Sequence, residues 1–508
     1  VGIYHAYHLF FHKPGGIFMS EVLAGLEPQF VFKYFEAITR IPRESGNEGE
    51  ITAFLENFGK SLGLETVRDA VNNIIIKKPA TKGYEAAPTV ILQGHVDMVC
   101  VKLDDLEFNF TKQPIPIVVD GDFIRTEGTT LGADNGIAVA MMMAVLSDKT
   151  LAHPPIVALF TTAEETGMDG VIGLEPGEVD GDILINLDSE EEGKLLTSCA
   201  GGANSVTIYR GGWEENTFTG ACTIDIVGLL GGHSGAEIHK NRANALKLLG
   251  RLITRLKNGF PFGVFEVYGG EKMNAIAKRA RLGIVFPKES LTDLEDIVRE
   301  VEGTFKNEFS VSDPNIALQM KAVEAPKQIL MYEDVEALEC LLRLTHFGVY
   351  SMSADVEGLV ESSNNLGVLE QVGTQFTLTN AVRSSVASLK DAMIEEMTLL
   401  AEKIGATHMR AGDYPAWPFK QDSEIRPLMQ AVYLDMFGTE VRVDAIHAGL
   451  ECGFLKEKIG DIDMISMGPE MHDVHTPYER LSISSTARVY GYLCRVLSEI
   501  KPSDASMA

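Results

Sequence analysis

Five short segments place carboxylates or histidines where an apolar run gives way to polar residues. In VILQGHVDMVC, His95 and Asp97 stand two apart, so on an extended strand both side chains leave the same face. An imidazole there can bind a divalent ion of borderline softness, and a carboxylate two residues on can orient the ring or its metal from behind. TTLGADNGIAVA offers Asp134 at the entrance of a helix, between glycines that let the backbone turn tightly. Capping that helix is the competing use of an Asp in this position. LFTTAEETGMDG follows an apolar strand with Glu164 and Glu165, adjacent residues that point in different directions. One can bind a metal while the other handles a proton, and charges at such a strand mouth are costly unless paired or metal-bound. ILINLDSEEEG supplies Asp188, with Glu190, Glu191 and Glu192 reading as a solvated face beyond it. MGPEMHDVHTPYERL adds His472 and His475.

Each segment is weak alone, but together they follow successive strand ends, the edge where open α/β sheets gather ligands. Two histidines and three carboxylates suffice for two zinc ions that share one carboxylate, with a position left for a common water. The remaining Glu can take that water's proton.

Such positioning demands a sheet, and the periodicity supplies one. Helical spacing is predicted over 28–40 and 48–62, with Ile41-Pro42 closing the first helix, and β-rich runs over 73–77 and 89–93. Residues 135–146 (NGIAVAMMMAVL) predict a buried helix whose Met141, Met142 and Met143 are core packing. The unalternating runs 155–162 and 182–187 suit a central, mostly parallel sheet covered by helices on both faces. Beyond Cys199-Ala200-Gly201-Gly202 the strands alternate, as in 222–227 and 375–378, between amphipathic helices over 243–256 and 291–305. That texture predicts an α+β domain over 201–411, inserted into an α/β catalytic domain made of 19–200 and 412–508. The second part of the catalytic domain is expected to hold a helix near 427–436, a strand over 442–446 and a terminal helix after Ser484.

Composition narrows the functional classes. With 508 residues, two domains are the natural expectation. The formal net charge of −28 repels phosphate backbones and anionic lipid, so neither nucleic acid nor a membrane surface is an expected partner. Six scattered cysteines without a CxxC pair read as free thiols in a reducing compartment, so the cytoplasm is the expected location. Residues 1–18 read as a disordered or extraneous leader before Met19, and His5, His8 and His12 within it lack the acidic partners of a metal site.

GHVDMV, LGADNGIA, TAEETGMDG, NLDSEEEG and HTPYERL resemble the ordered motifs of the co-catalytic zinc peptidases that include aminoacylases, carnosinases and bacterial dipeptidases. GGHSGAEIH, GGEKMNAIA and HAGLECG bring the likeness closest to the aminoacyl-histidine dipeptidases, or cytosol non-specific dipeptidases, over everything from Met19 onward. The resemblance implies two divalent ions, zinc first and cobalt or manganese as substitutes. It assigns His95 and Asp188 to one ion, His475 and Glu165 to the other, and Asp134 to both, and the family often holds the peptide after that Asp, here Asp134–Asn135, in the cis form. It makes Glu164 the general base and Asp97 the residue that orients His95, and it selects His475 over His472 because the family's ligand directly precedes Ser/Thr-Pro. From the inserted domain, a lid in the family, it implies His233 as polariser of the scissile carbonyl. Asn274, Arg383, Gly449 and Glu451 are implied as substrate contacts, with Arg383 on the substrate carboxylate; His447 is as readily structural as functional. The implied activity is hydrolysis of dipeptides, Xaa-His or broader, by a homodimer joined through the lid. The same metal core would also serve an N-acyl-amino-acid amidohydrolase or a carboxypeptidase, and a scaffold that keeps the fold without turnover is the non-enzymatic alternative. The Gly-rich GLLGGHSG lacks the Gly-Lys-Ser/Thr ending of a phosphate loop.

Overall fold

The apolar runs become strands buried along their whole length: Val90–His95, Ile156–Thr161 and Ile183–Asn186 have no exposed face. Continuous burial without alternation belongs to strands covered on both sides. In the computed structural model, which describes residues 22–502, these three strands are neighbours and parallel, with Val90–His95 in the middle. The leader expected over 1–18, with its three histidines, lies outside the described residues.

Two units divide the chain. The first takes the described residues up to Thr197, then Lys420–Asp444 and the described residues from Phe454 onward. Its eight-stranded sheet runs in the order Glu65–Arg68, Ile74–Lys78, Ile156–Thr161, Val90–His95, Ile183–Asn186, Asp463–Ser466, Lys194–Cys199, Arg442–Ile446. The four strands from Ile156–Thr161 to Asp463–Ser466 are parallel; antiparallel pairs flank them. A separate four-stranded sheet orders Met471–His472, Arg480–Ser482, Phe123–Thr126 and Ile117–Asp120.

The helix Ala133–Ser147 is buried from Ala133 to Leu146, its three methionines included, and packs on Gln29–Ile38 and on Val90–His95. Regular helical angles begin only after Asn135, and the Asp134–Asn135 peptide is cis, as the resemblance implies. The helix lies so close to the central strand that a Cβ on Gly94 would fall 2.8 Å from Ala138 Cβ and against Asn135 Oδ1. Gly94→Ala is therefore expected to lower stability by about 1–3 kcal/mol, read as a fall in the denaturant midpoint at unchanged slope.

The second unit is Ser198–Phe419 with Ala445–Gly453. Its nine-stranded sheet is antiparallel throughout its pairings, and helices Ala245–Lys257, Leu291–Glu308 and Tyr332–Leu344 share one apolar core with it. The inserted domain expected over 201–411 is thus larger. Strand Thr407–Tyr414 pairs with Gly201–Arg210 across residue 411, and Trp417 bridges to Cys199. The HAGLECG segment also belongs here: Ile446 O accepts from Ala200 N at 3.1 Å, and His447 Nε2 meets Ser363 Oγ at 2.7 Å. All six cysteines are free. Among the described residues no helix is long and apolar enough to cross a membrane.

Candidate metal centre

Parallel neighbours end on the same sheet edge, and that edge collects the first unit's candidate residues. His95 closes its strand, Asp188 follows two residues after Ile183–Asn186, and Glu164 and Glu165 open a short helix after Ile156–Thr161. Asp134 enters from the buried helix. His475 arrives on the seven-residue connection between the paired strands Met471–His472 and Arg480–Ser482. Left-handed backbone occurs here at Ala163 (φ 53°) before the glutamates and, on the connection, at Asp473 (φ 55°) and His475 itself (φ 63°). Non-glycine residues rarely adopt that conformation, and it persists where surrounding contacts fix it.

His95 Nε2 lies 3.1 Å from Asp134 Oδ1 and 3.5 Å from Asp188 Oδ1. His475 Nε2 lies 3.0 Å from Asp134 Oδ2 and 2.9 Å from Glu165 Oε1. Each imidazole nitrogen therefore faces two carboxylates, although a single N–H can serve only one well. The result is two half-sites of one histidine and one carboxylate, each taking a different oxygen of Asp134. Asp134 does not cap its helix, since both its oxygens are engaged with imidazoles. Among the described residues, His95, Asp134 and Glu165 form the group whose ligand atoms all lie within 4.8 Å of one another. His472 stays outside the cluster, beside Phe123 and 3.6 Å from Glu470.

Burial crowds like charges here. Burial, followed by the charges of Asp134 and Glu164, drives the Asp188 carboxyl well above the usual carboxylate range, with His95 pulling the other way. Hydrogen bonds to Asp134 and Glu165 hold the His475 imidazolium up to about 11. A field that binds a proton so tightly also draws a divalent cation. Behind the cluster, Asp97 Oδ1 stands 3.3 Å from His95 Nδ1, which leaves Nε2 for a ligand. Asp97 also accepts from Ser45 Oγ at 2.8 Å and from the amides of Glu164 and Glu165 at 3.1 and 3.2 Å. Burial would raise its pKa, but the adjacent His95 and the Ser45 hydrogen bond hold it at about 2.

Three residues that the sequence did not single out as site residues support the cluster. Asn135 accepts from His95 N at 3.2 Å and donates to Leu187 O at 3.0 Å, joining the end of the His95 strand to the residue before Asp188. Glu479 and Arg43, both 2% exposed, bind the backbone around Asp134. Glu479 lies inside HTPYERL, where an acidic residue four places after a loop histidine was the one available cue.

His233, Asn274, Arg383, Gly449 and Glu451 all belong to the second unit. His233 Nδ1 accepts from Gly235 N and Ala236 N at 3.3 and 3.0 Å, which places the ring proton on Nε2 as a donor. Partial desolvation, then the charge of Arg383, lowers the His233 pKa and favours that neutral form. Arg383 donates from Nη1 to Tyr414 Oη at 3.0 Å, while its buried Nε has no partner among the described residues. Asn274 is exposed, Gly449 packs on the Tyr414 ring and Glu451 is fully buried. Burial, then Arg383, lowers His447 to about 3, so it is a neutral partner of Ser363.

A sequence profile described as Peptidase family M20/M25/M40 matches residues 91–499. Over 485 residues the chain is 36% identical to the cytosol non-specific dipeptidase of Escherichia coli (strain K12), covering 95% of this chain and 99% of that protein. The crystal structure of the aminoacylhistidine dipeptidase from Vibrio alginolyticus matches with a TM-score of 0.90 at 34% identity, covering 94% of this chain and 98% of that one. Aminopeptidase PepT from Bacillus cereus matches at 0.55 and 15% identity, over 94% and 99% of the two chains, a likeness of fold alone.

Proposed function

Since the chain belongs to peptidase family M20/M25/M40, we propose that it hydrolyses dipeptides with two divalent ions held by His95, Asp134, Glu165, Asp188 and His475. The observation that supports this reading is the sharing of Asp134: one oxygen faces His95 and the other His475, each histidine with a further carboxylate of its own. Only nitrogen and oxygen donors converge, in a buried acidic cluster, a set that suits zinc and also cobalt or manganese. When bound, such ions acidify a water and polarise a carbonyl.

The chain's own residues do the rest. Glu164, its amide held by Asp97, accepts the water's proton and returns it to the leaving amine. Asp97 keeps the His95 ring aimed. His233 offers its Nε2–H to the oxygen of the scissile carbonyl as negative charge develops there. Arg383 takes the substrate's C-terminal carboxylate, with Asn274 and Gly449 as further substrate contacts, while Glu451, fully buried, offers no exposed face to a substrate. That grip would favour short substrates, in keeping with the dipeptidase names of the two relatives. Six free cysteines support a reducing, cytoplasmic setting. A homodimer is carried over from the family and is read directly by sedimentation.

Rates on Ala-His, β-Ala-His and an N-acetylated amino acid, before and after chelation, test the reading. Dipeptide hydrolysis that vanishes with chelator and returns with zinc is expected. Faster cleavage of the acetylated amino acid would move the substrate class to amidohydrolysis. For Arg383→Ala, KM for dipeptides is expected to rise about 10–100-fold, the worth of a charge-assisted hydrogen bond. The two proteins should be equally slow on a C-terminally amidated dipeptide, which has no carboxylate to grip.

A further inference from the structure

The connection that delivers His475 also delivers Glu479. Its Oε2 accepts from Leu131 N at 2.8 Å and Gly132 N at 3.0 Å, and its Oε1 from Ala133 N at 2.8 Å and Asp134 N at 3.3 Å. Four consecutive amides at the entrance of the buried helix thus close around one carboxylate, a concave arrangement of N–H groups suited to an anion. Their positive ends would otherwise be left to Asp134, whose oxygens both turn to the imidazoles instead.

Arg43 grips the same turn from its other side. Nη1 donates to Val96 O at 2.9 Å and Asp97 O at 3.0 Å, and Nη2 donates to Gly132 O. Gly132 therefore gives its amide to Glu479 and its carbonyl to Arg43. Its φ of +70° and a Cβ position 2.7 Å from Met98 Sδ, also crowding Arg43 Nη2, leave no room for a side chain. Burial works against both charges, lowering the Arg43 pKa and raising that of Glu479, while Glu479 and then Asp97 are the strongest counterweights at Arg43. Three segments that carry candidate ligands, 95–97, 131–134 and 475–479, are tied together by this one buried pair.

We propose that Arg43 and Glu479 are positioning residues that fix Asp134 between His95 and His475, so that ion affinity depends on two side chains that touch no ion. This rests on the dinuclear reading above. Glu479→Gln keeps the shape but sets an NH2 group among N–H donors, whereas Glu479→Asp keeps the charge on a shorter arm. The parent and both variants would be stripped with chelator, checked for folding by circular dichroism, and titrated with zinc against a chromogenic chelator. Affinity about 10–100-fold weaker is expected for Glu479→Gln, the usual effect of removing a residue that supports a ligand, with partial recovery in Glu479→Asp. Should Glu479→Gln not fold when stripped, Arg43→Lys, which keeps a charge but loses the fork, takes its place with the same expectation. Zinc affinity within twofold of the parent in the folded variants overturns the proposal while leaving the metal centre standing. A parent chain that binds no divalent ion overturns both.

Discussion

Glu164→Gln is expected to keep both ions and to hydrolyse dipeptides about 10²–10⁴-fold more slowly, the usual contribution of a positioned general base. The loss should fall on kcat, because an amide of the same shape leaves substrate contacts in place but cannot take a proton. Retention of metal follows from the local hydrogen bonds: the Glu164 backbone is held by Asp97, and the Glu165 amide by the other oxygen of the same carboxylate. The Glu164 charge also weighs against ionisation of Asp188, so its removal eases the ligand's charged form. Metal content and single-turnover rates on the two proteins side by side decide the matter. A variant that loses metal along with activity would make Glu164 a ligand, and one that keeps its rate would remove it from the proton path.

Asp134→Asn should have the widest effect of any single substitution. The residue faces His95 through one oxygen and His475 through the other, at 3.1 and 3.0 Å, so an amide blunts both half-sites at once. Bound metal is expected to fall from two ions to one or none after dialysis, with dipeptide hydrolysis at least about a thousandfold down, more than a single supporting residue controls. Elemental analysis of dialysed protein, repeated at rising zinc, checks this. Full occupancy in Asp134→Asn would show that the two half-sites do not depend on a shared carboxylate. His475→Ala offers the contrast, since it removes a donor from one half-site only.

The chemistry was legible where it is local. His95, Glu164, Glu165 and Asp188 stand out as candidates only as a set, each weak alone, because a charge that follows an apolar run is costly unless paired or metal-bound. The buried helix was legible from its lack of any polar face, and so were the parallel strands from their lack of alternation. What the reading missed is held by contacts between distant residues. Glu479 meets Asp134 N across 345 positions, and Arg43 reaches Gly132 O across 89, separations that no local pattern encodes. The competing use of Asp134 as a cap was reasonable for an isolated turn and gives way only because another carboxylate supplies the acceptor. The edge of the inserted unit was misplaced for a similar reason. Thr407–Tyr414 and Ala445–Gly453 are assigned by the strands and side chains they meet, not by their own composition.

The order of the candidate ligands along the chain also sets a timetable for the ribosome. His95, Asp134, Glu164, Glu165 and Asp188 emerge early, whereas His475 and Glu479 follow Asp188 by about 290 residues, on the order of 15–60 s of synthesis at ordinary rates. Throughout that interval the nascent chain carries its carboxylates without the second histidine and its 131–134 amides without their acceptor. The candidate dinuclear site is therefore complete only after nearly the whole chain has been made, and a chain that stalls before His475 lacks one of its two histidines.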